Sequence, residues 1–257
     1  MKTIKIDTID NLVHGVSEAL DICEEYLLEW TNDYGDDGDA IEKFVQENYS
    51  DDNRIHDIYF CHLSKMLEPP SELLPLNVLL LKESALSRFL KEYDIEFIQD
   101  QTGIAIKHRG IVWNSSNVKT GNGLLERRLG YGKSLDYQVC GFLFSAGIEK
   151  EENSYFETLK GGAEFLQCLD LLLGTKTLSS FAQKARYYLV ECTVPINSAY
   201  FLFGPEEYES IEQKERVYLS ECIRYIFANK YNSKLRNPII ELRGLESIPV
   251  CSYRELH

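Results

Sequence analysis

Apolar residues recur at three- and four-residue spacing between residues 8 and 30: Leu12, Val13, Val16, Ala19, Leu20, Cys23, Tyr26, Leu27 and Trp30 share one side of a helical wheel. That spacing predicts a single amphipathic helix, with Asp7 or Thr8 as its N-cap. The run Asn-Asp-Tyr-Gly-Asp-Asp-Gly-Asp at 32–39 ends it, and a second, shorter helix is expected from Ala40 to Asn48. An acidic turn at 50–53 closes what reads as a helical extension over residues 1–53. A strand follows from Ile55 to Leu63, with Ile58, Tyr59 and Phe60 leading into Cys61-His62-Leu63-Ser64. Beyond Pro69-Pro70 a helix is expected from Lys82 to Tyr93.

After Asp94 the apolar period shortens to two. Ile95, Phe97, Ile104, Ile106, Ile111 and Trp113, with turns at 100–103 and at Gly110, predict a small antiparallel meander. A short helix at Gly123–Leu129 and a strand at Tyr137–Phe144 come next. An apolar helix opens near Gly161 and runs through Leu173, a further turn of helix is expected at Ser179–Lys184, and Tyr187–Val194 reads as a strand containing Glu191. Pro205 suits the first position of a long helix to Lys230, with Glu206 and Glu207 at its positive end. Strands at Ile239–Arg243 and near the C-terminus complete the pattern. Interspersed helices and largely antiparallel strand pairs place the chain in the α+β class, with residues 54–257 forming a split, mostly antiparallel sheet flanked by helices.

The 257 residues are enough for a sizeable core. No run approaches the roughly 18 apolar residues of a membrane helix, and MKTIKIDTID lacks the apolar core of a signal peptide. The expectation is a cytoplasmic protein without membrane attachment. Seven cysteines, scattered through apolar surroundings without a CxxC pair, read as reduced thiols rather than a zinc ribbon or a redox dithiol.

Charge changes the picture at one place. The chain carries a formal −14 with a pI near 4.9, which argues against a general nucleic-acid coat. Yet residues 103–135 contain Lys107, Arg109, Lys119, Arg127, Arg128 and Lys133 against one acid, Glu126: a local +5, leaving −19 for the rest. A cationic, glycine-bearing island is chemically suited to a small phosphate-bearing ligand; a solvated pair of loops whose charges share a sign would look the same. The acidic remainder suits a basic protein partner.

Motifs narrow the chemistry mainly by exclusion. Gly-Tyr-Gly-Lys-Ser at 130–134 imitates the end of a phosphate-binding loop, but Arg127 stands where the first glycine is required, and a strand is expected where a helix must follow. The five histidines form no HxH or HExxH pair, the acidic run at 32–39 lacks calcium-loop spacing, and no GxSxG elbow is present, so no metal is expected.

Three segments together resemble the ADP-ribosyltransferase-like fold, over residues 55–257. Tyr-Phe-Cys-His62-Leu-Ser64 followed by Leu73-Leu74-Pro75-Leu76 is similar to the family's opening strand and "gllpl" segment. Glu241-Leu242-Arg243-Gly-Leu-Glu-Ser-Ile248-Pro249 is similar to its closing strand and turn, and Gly162-Ala163-Glu164-Phe165 to a "GPEF" segment of uncharacterised bacterial members, with Ala163 in place of proline. The resemblance implies NAD in the cleft of a split sheet, His62 and neighbouring Ser64 at the adenosine ribose, and Tyr131 or Tyr137 stacked on nicotinamide. Glu164 or Glu191 would oppose the positive charge that develops as the glycosidic bond breaks. Arg109, Arg127, Arg128 and Lys133 would then face the pyrophosphate. The S-T-S motif of the family is absent.

Two functions are therefore carried forward. One is an NAD-handling ADP-ribosyltransferase-like protein of bacterial conflict type. The other is a non-catalytic immunity or antitoxin-like protein whose acidic body binds a basic protein partner.

Overall fold

A computed structural model describes residues 3–119, 123–131, 136–148, 163–202, 208, 210–231 and 237–256. Lys133, Gly161, Gly162 and the expected helix start at Pro205 lie outside the described residues. The helices are α1 (Ile9–Leu20), α2 (Glu24–Tyr34), α3 (Gly38–Asn48), α4 (Leu76–Leu81), α5 (Ala85–Lys91), α6 (Leu124–Arg128), α7 (Glu164–Leu173), α8 (Thr177–Lys184) and α9 (Ile211–Tyr231). The strands are β1 (Asp57–Met66), β2 (Glu72–Leu73), β3 (Ile95–Asp100), β4 (Gly103–His108), β5 (Ile111–Trp113), β6 (Val139–Phe142), β7 (Arg186–Pro195), β8 (Ala199–Phe201), β9 (Ile239–Leu242) and β10 (Ile248–Leu256). The class is α+β, with helices and antiparallel sheets.

The expected helix over residues 8–30 is two helices. Asp21 takes a left-handed conformation (φ 54°), its N–H turns back to Glu18 and Ser17, and α1 ends there. Thr8 is the N-cap, accepting from the Asn11 N–H at 3.1 Å. The expected helix over 82–93 is the shorter α5, which Ser84 opens through a capping box with Ser87, and a separate short helix, α4, precedes it after Pro75. The acidic turn before α3 is shorter than expected, because α2 continues to Tyr34 and the Asp37 side chain caps α3 from the N–H groups of Asp39 and Ala40.

The chain divides into two compact units. The first unit comprises Met1–Cys61, Cys140–Glu151 and Glu191–Gly244; the second comprises His62–Val139, Glu152–Val190 and Leu245–His257. The first unit holds α1, α2, α3 and α9 with the neighbouring strands β6, β9 and β8 and the opening half of β1. Its apolar core is built from Leu12, Val16, Leu20, Leu27, Ile41 and Val45 on the N-terminal helices and Tyr218, Leu219, Cys222, Ile223 and Ile226 on α9. Asn237 clamps the Phe144 backbone in both directions, Phe144 N–H to Oδ1 at 3.1 Å and Nδ2 to the Phe144 carbonyl at 2.5 Å.

The second unit contains the meander β3-β4-β5 and the pair β10-β2, whose register joins Ile248 to Leu73. The meander follows the sequence expectation, with Phe97 opposite Ile106 and His108 opposite Ile111. Its second turn places Arg109 (φ 48°) and Gly110 (φ 80°) at the two central positions. Both φ values are positive, as a type I′ hairpin turn requires. Ile95, Ile104 and Ile106 pack with Leu125, Leu129 and Tyr131, with Phe165, Leu166 and Leu169 of α7, and with Phe89 and Phe181.

Candidate functional site

The basic stretch lies in the second unit, and acids from outside it meet two of its cations. Arg128, on α6, directs Nε toward Asp136 and Nη2 toward Glu164, each at 3.4 Å. Lys107 faces Glu96 across the meander at 3.9 Å. Arg128 and Glu164 are thus two expected site residues that the structure brings together, and they meet as an ion pair. Arg109 is exposed at the tip of its turn, where its charge and the burial of His108 both hold the His108 imidazole below its ordinary range, burial being the larger effect. Arg127 is half-buried on α6.

Tyr131 lies in the apolar core of the second unit. Its hydroxyl donates to the Ile104 carbonyl at 2.5 Å and its ring is enclosed. Burial pushes its phenol up to about 12. Tyr137 is half-buried in the connection before β6, and its carbonyl accepts the Leu76 N–H at 2.8 Å. His62 and Ser64 occupy half-buried positions in β1, alternating with buried Cys61 and Leu63. Ser64 Oγ approaches the Lys65 carbonyl at 3.4 Å. In the first unit, Glu191 accepts the Ser145 hydroxyl at 2.5 Å.

A more strongly organised surface lies in the first unit. Residues 1–53 contain 15 acids and three lysines, a net −12 of the chain's −14. Every acid among the described side chains of this stretch is exposed. Lys43 meets Glu47 at 3.8 Å and Arg224 meets Glu42 at 3.8 Å. His14 Nδ1 is 2.9 Å from Glu24 and Nε2 is 3.8 Å from Glu18, at an open depression also bordered by Ser17, Asp21 and Cys23. The hydrogen bond to Glu24, then the charge of Glu18, hold the imidazole above its ordinary range.

Aromatic rings run through this acidic surface. Tyr26, Trp30 and Tyr34 occupy successive turns of α2, beside the face that buries Leu27 and Thr31. Trp30 stacks on Phe44 of α3, with centroids 4.0 Å apart and planes at 19°, and lies 5.5 Å from Tyr34. Tyr26 and Tyr34 are 47% and 49% exposed. Helical spacing sets Glu29 and Asp33 beside them.

Among the described residues no group of three or more His, Cys, Asp or Glu is arranged to hold a metal ion, and no helix is long and apolar enough to cross a membrane. No protein-family model, curated protein or solved structure matches the chain.

Proposed function

We propose that this chain is a non-catalytic, acidic binding protein, immunity- or antitoxin-like in mode, that captures a basic protein partner on its N-terminal helices. One observation carries the reading: net charge is segregated, with −12 on the first 53 residues and near balance on the other 204. Net charge dispersed for solubility alone has no need of such segregation, whereas a single-sign face raises the encounter rate with an oppositely charged partner and rejects wrong ones. Membrane surfaces and nucleic acids are polyanions and are repelled by the same face. The test uses an arginine octapeptide as probe, titrated calorimetrically into wild type and into the variant Glu25→Gln/Glu29→Gln/Asp33→Asn/Glu42→Gln. Binding that weakens with added salt and falls at least tenfold in the variant is expected. Absence of binding at 50 mM salt, or equal binding by the variant, would overturn the reading.

NAD handling is the second reading, favoured by one juxtaposition. Arg128, which the family resemblance turns toward the pyrophosphate, and Glu164, one of its two candidates for the carboxylate that opposes the developing charge, are neighbours in the second unit. NAD titrated into wild type and Arg128→Ala tests it. Micromolar binding abolished in the variant would support it, and a folded wild type that binds no NAD would end it.

A further inference from the structure

We infer that the aromatic row Tyr26-Trp30-Tyr34 on α2 is an arginine-reading strip, so that the partner segment it takes is arginine-bearing rather than merely basic. The inference rests on the binding function proposed above and specifies its epitope.

Three features of the first unit meet here. The rings stand one helical turn apart, at residues 26, 30 and 34, so they form a continuous line along α2. Two of them, Tyr26 and Tyr34, leave about half their surface in solvent. Trp30 is held flat against Phe44, which fixes its ring orientation before any partner arrives. Exposed aromatics of this kind are the residue types that dominate protein interfaces, because they present large area with few rotatable bonds to immobilise.

Charge complementarity identifies the occupant. Glu29 and Asp33 lie one helical turn beyond Tyr26 and Trp30 on the same helix, both exposed, so a cation over the rings is also within reach of carboxylates. A guanidinium satisfies both demands at once: its plane stacks on an aromatic face while its edge donates two parallel hydrogen bonds to a carboxylate. A lysine ammonium, compact and strongly hydrated, gains the charge attraction but not the stacking or the bidentate geometry. An apolar partner would leave the carboxylates stripped of water and unpaired.

The test compares octa-arginine with octa-lysine at 150 mM salt, read by fluorescence in a Trp113→Phe background where Trp30 is the sole indole. Octa-arginine is expected to bind about fivefold to tenfold more tightly and to shift Trp30 emission, the size of effect that one or two exposed cation–aromatic contacts supply. Tyr26→Ser/Tyr34→Ser should remove most of that preference while leaving octa-lysine affinity within about twofold, and Tyr26→Phe/Tyr34→Phe should keep it. Equal binding of the two peptides, with unchanged Trp30 emission, would overturn the strip while leaving acidic capture standing. Failure of both peptides to bind even at 50 mM salt would remove the underlying function as well. The comparison of peptides on the wild-type surface decides the matter even where the serine variant folds poorly.

Discussion

Asp170 and Thr177 are joined twice: the Asp170 carboxylate accepts the Thr177 backbone N–H at 2.8 Å and its hydroxyl at 2.6 Å. The same carboxylate accepts the Leu178 N–H at 2.9 Å and the Thr175 hydroxyl at 2.5 Å. A residue of α7 thereby caps the first turn of α8, taking the place of the absent side-chain cap at Lys176. Replacing Asp170 with Ala removes the cap and strands buried donors, so urea denaturation should show a loss of about 1–3 kcal/mol. Burial works to raise the carboxyl's pKa, but the four hydrogen bonds outweigh it and hold the group below its ordinary range. A depressed folded-state pKa contributes stability above the unfolded value of about 4 that is lost as pH falls through the folded value. Asp170→Asn should flatten the stability profile below about pH 4; an unchanged acid limb would contradict this.

The meander was legible in the sequence because two signals agreed: the period-two apolar pattern from Ile95 to Trp113 and a glycine at the turn. The break between α1 and α2 was not, because Leu20, Cys23 and Leu27 keep helical spacing across it. The chain turns at Asp21, whose left-handed backbone a sequence reader expects of glycine. For the same reason Tyr26 and Trp30 fall on the apolar stripe of one continuous helix, whereas the second helix buries Leu27 and Thr31 and leaves Tyr26 exposed and Trp30 half-buried. The pairing of Arg128 with Glu164 is not legible locally, because the two lie 36 residues apart.

Tyr49 donates its hydroxyl to Glu215, a carboxylate on α9 that is 1% exposed. Removing only the hydroxyl leaves that buried acceptor short of a donor, which is more damaging than the loss of an average hydrogen bond. Tyr49→Phe should therefore lower unfolding free energy by about 1–3 kcal/mol in chemical denaturation. A change below about 0.3 kcal/mol would show that the contact contributes little in solution.

Gly141 in β6 lies where backbones crowd. A Cβ there would come within 2.4 Å of Phe60 Cδ2 and 2.7 Å of the Cys61 carbonyl oxygen. The oxygen belongs to the paired strand, whose Cys61 faces Phe142, and cannot move without disturbing that register. Gly141→Ala is expected to destabilise by about 1–3 kcal/mol or more, seen as a lower thermal midpoint. The conservative control is an alanine at Gly174, where a Cβ meets nothing within 4 Å and only its positive φ of 67° opposes substitution; it should be the milder of the two.

His14 supplies a test of the acidic face that needs no partner. Its imidazole is raised above 6.5 by the hydrogen bond with Glu24 first and the charge of Glu18 second. The sign follows from linkage: the fold favours the protonated form, so its contribution is complete below about pH 6.5 and is lost as pH rises through the folded value. NMR titration should place the wild-type His14 above about 6.5, and Glu24→Gln should bring it down. Because all three side chains are exposed, added salt should reduce the shift as well. A wild-type value at or below the ordinary one would mean that the carboxylates around His14 do not act on a neighbouring cation. The attraction proposed for an arginine-bearing partner would then lose its nearest internal counterpart.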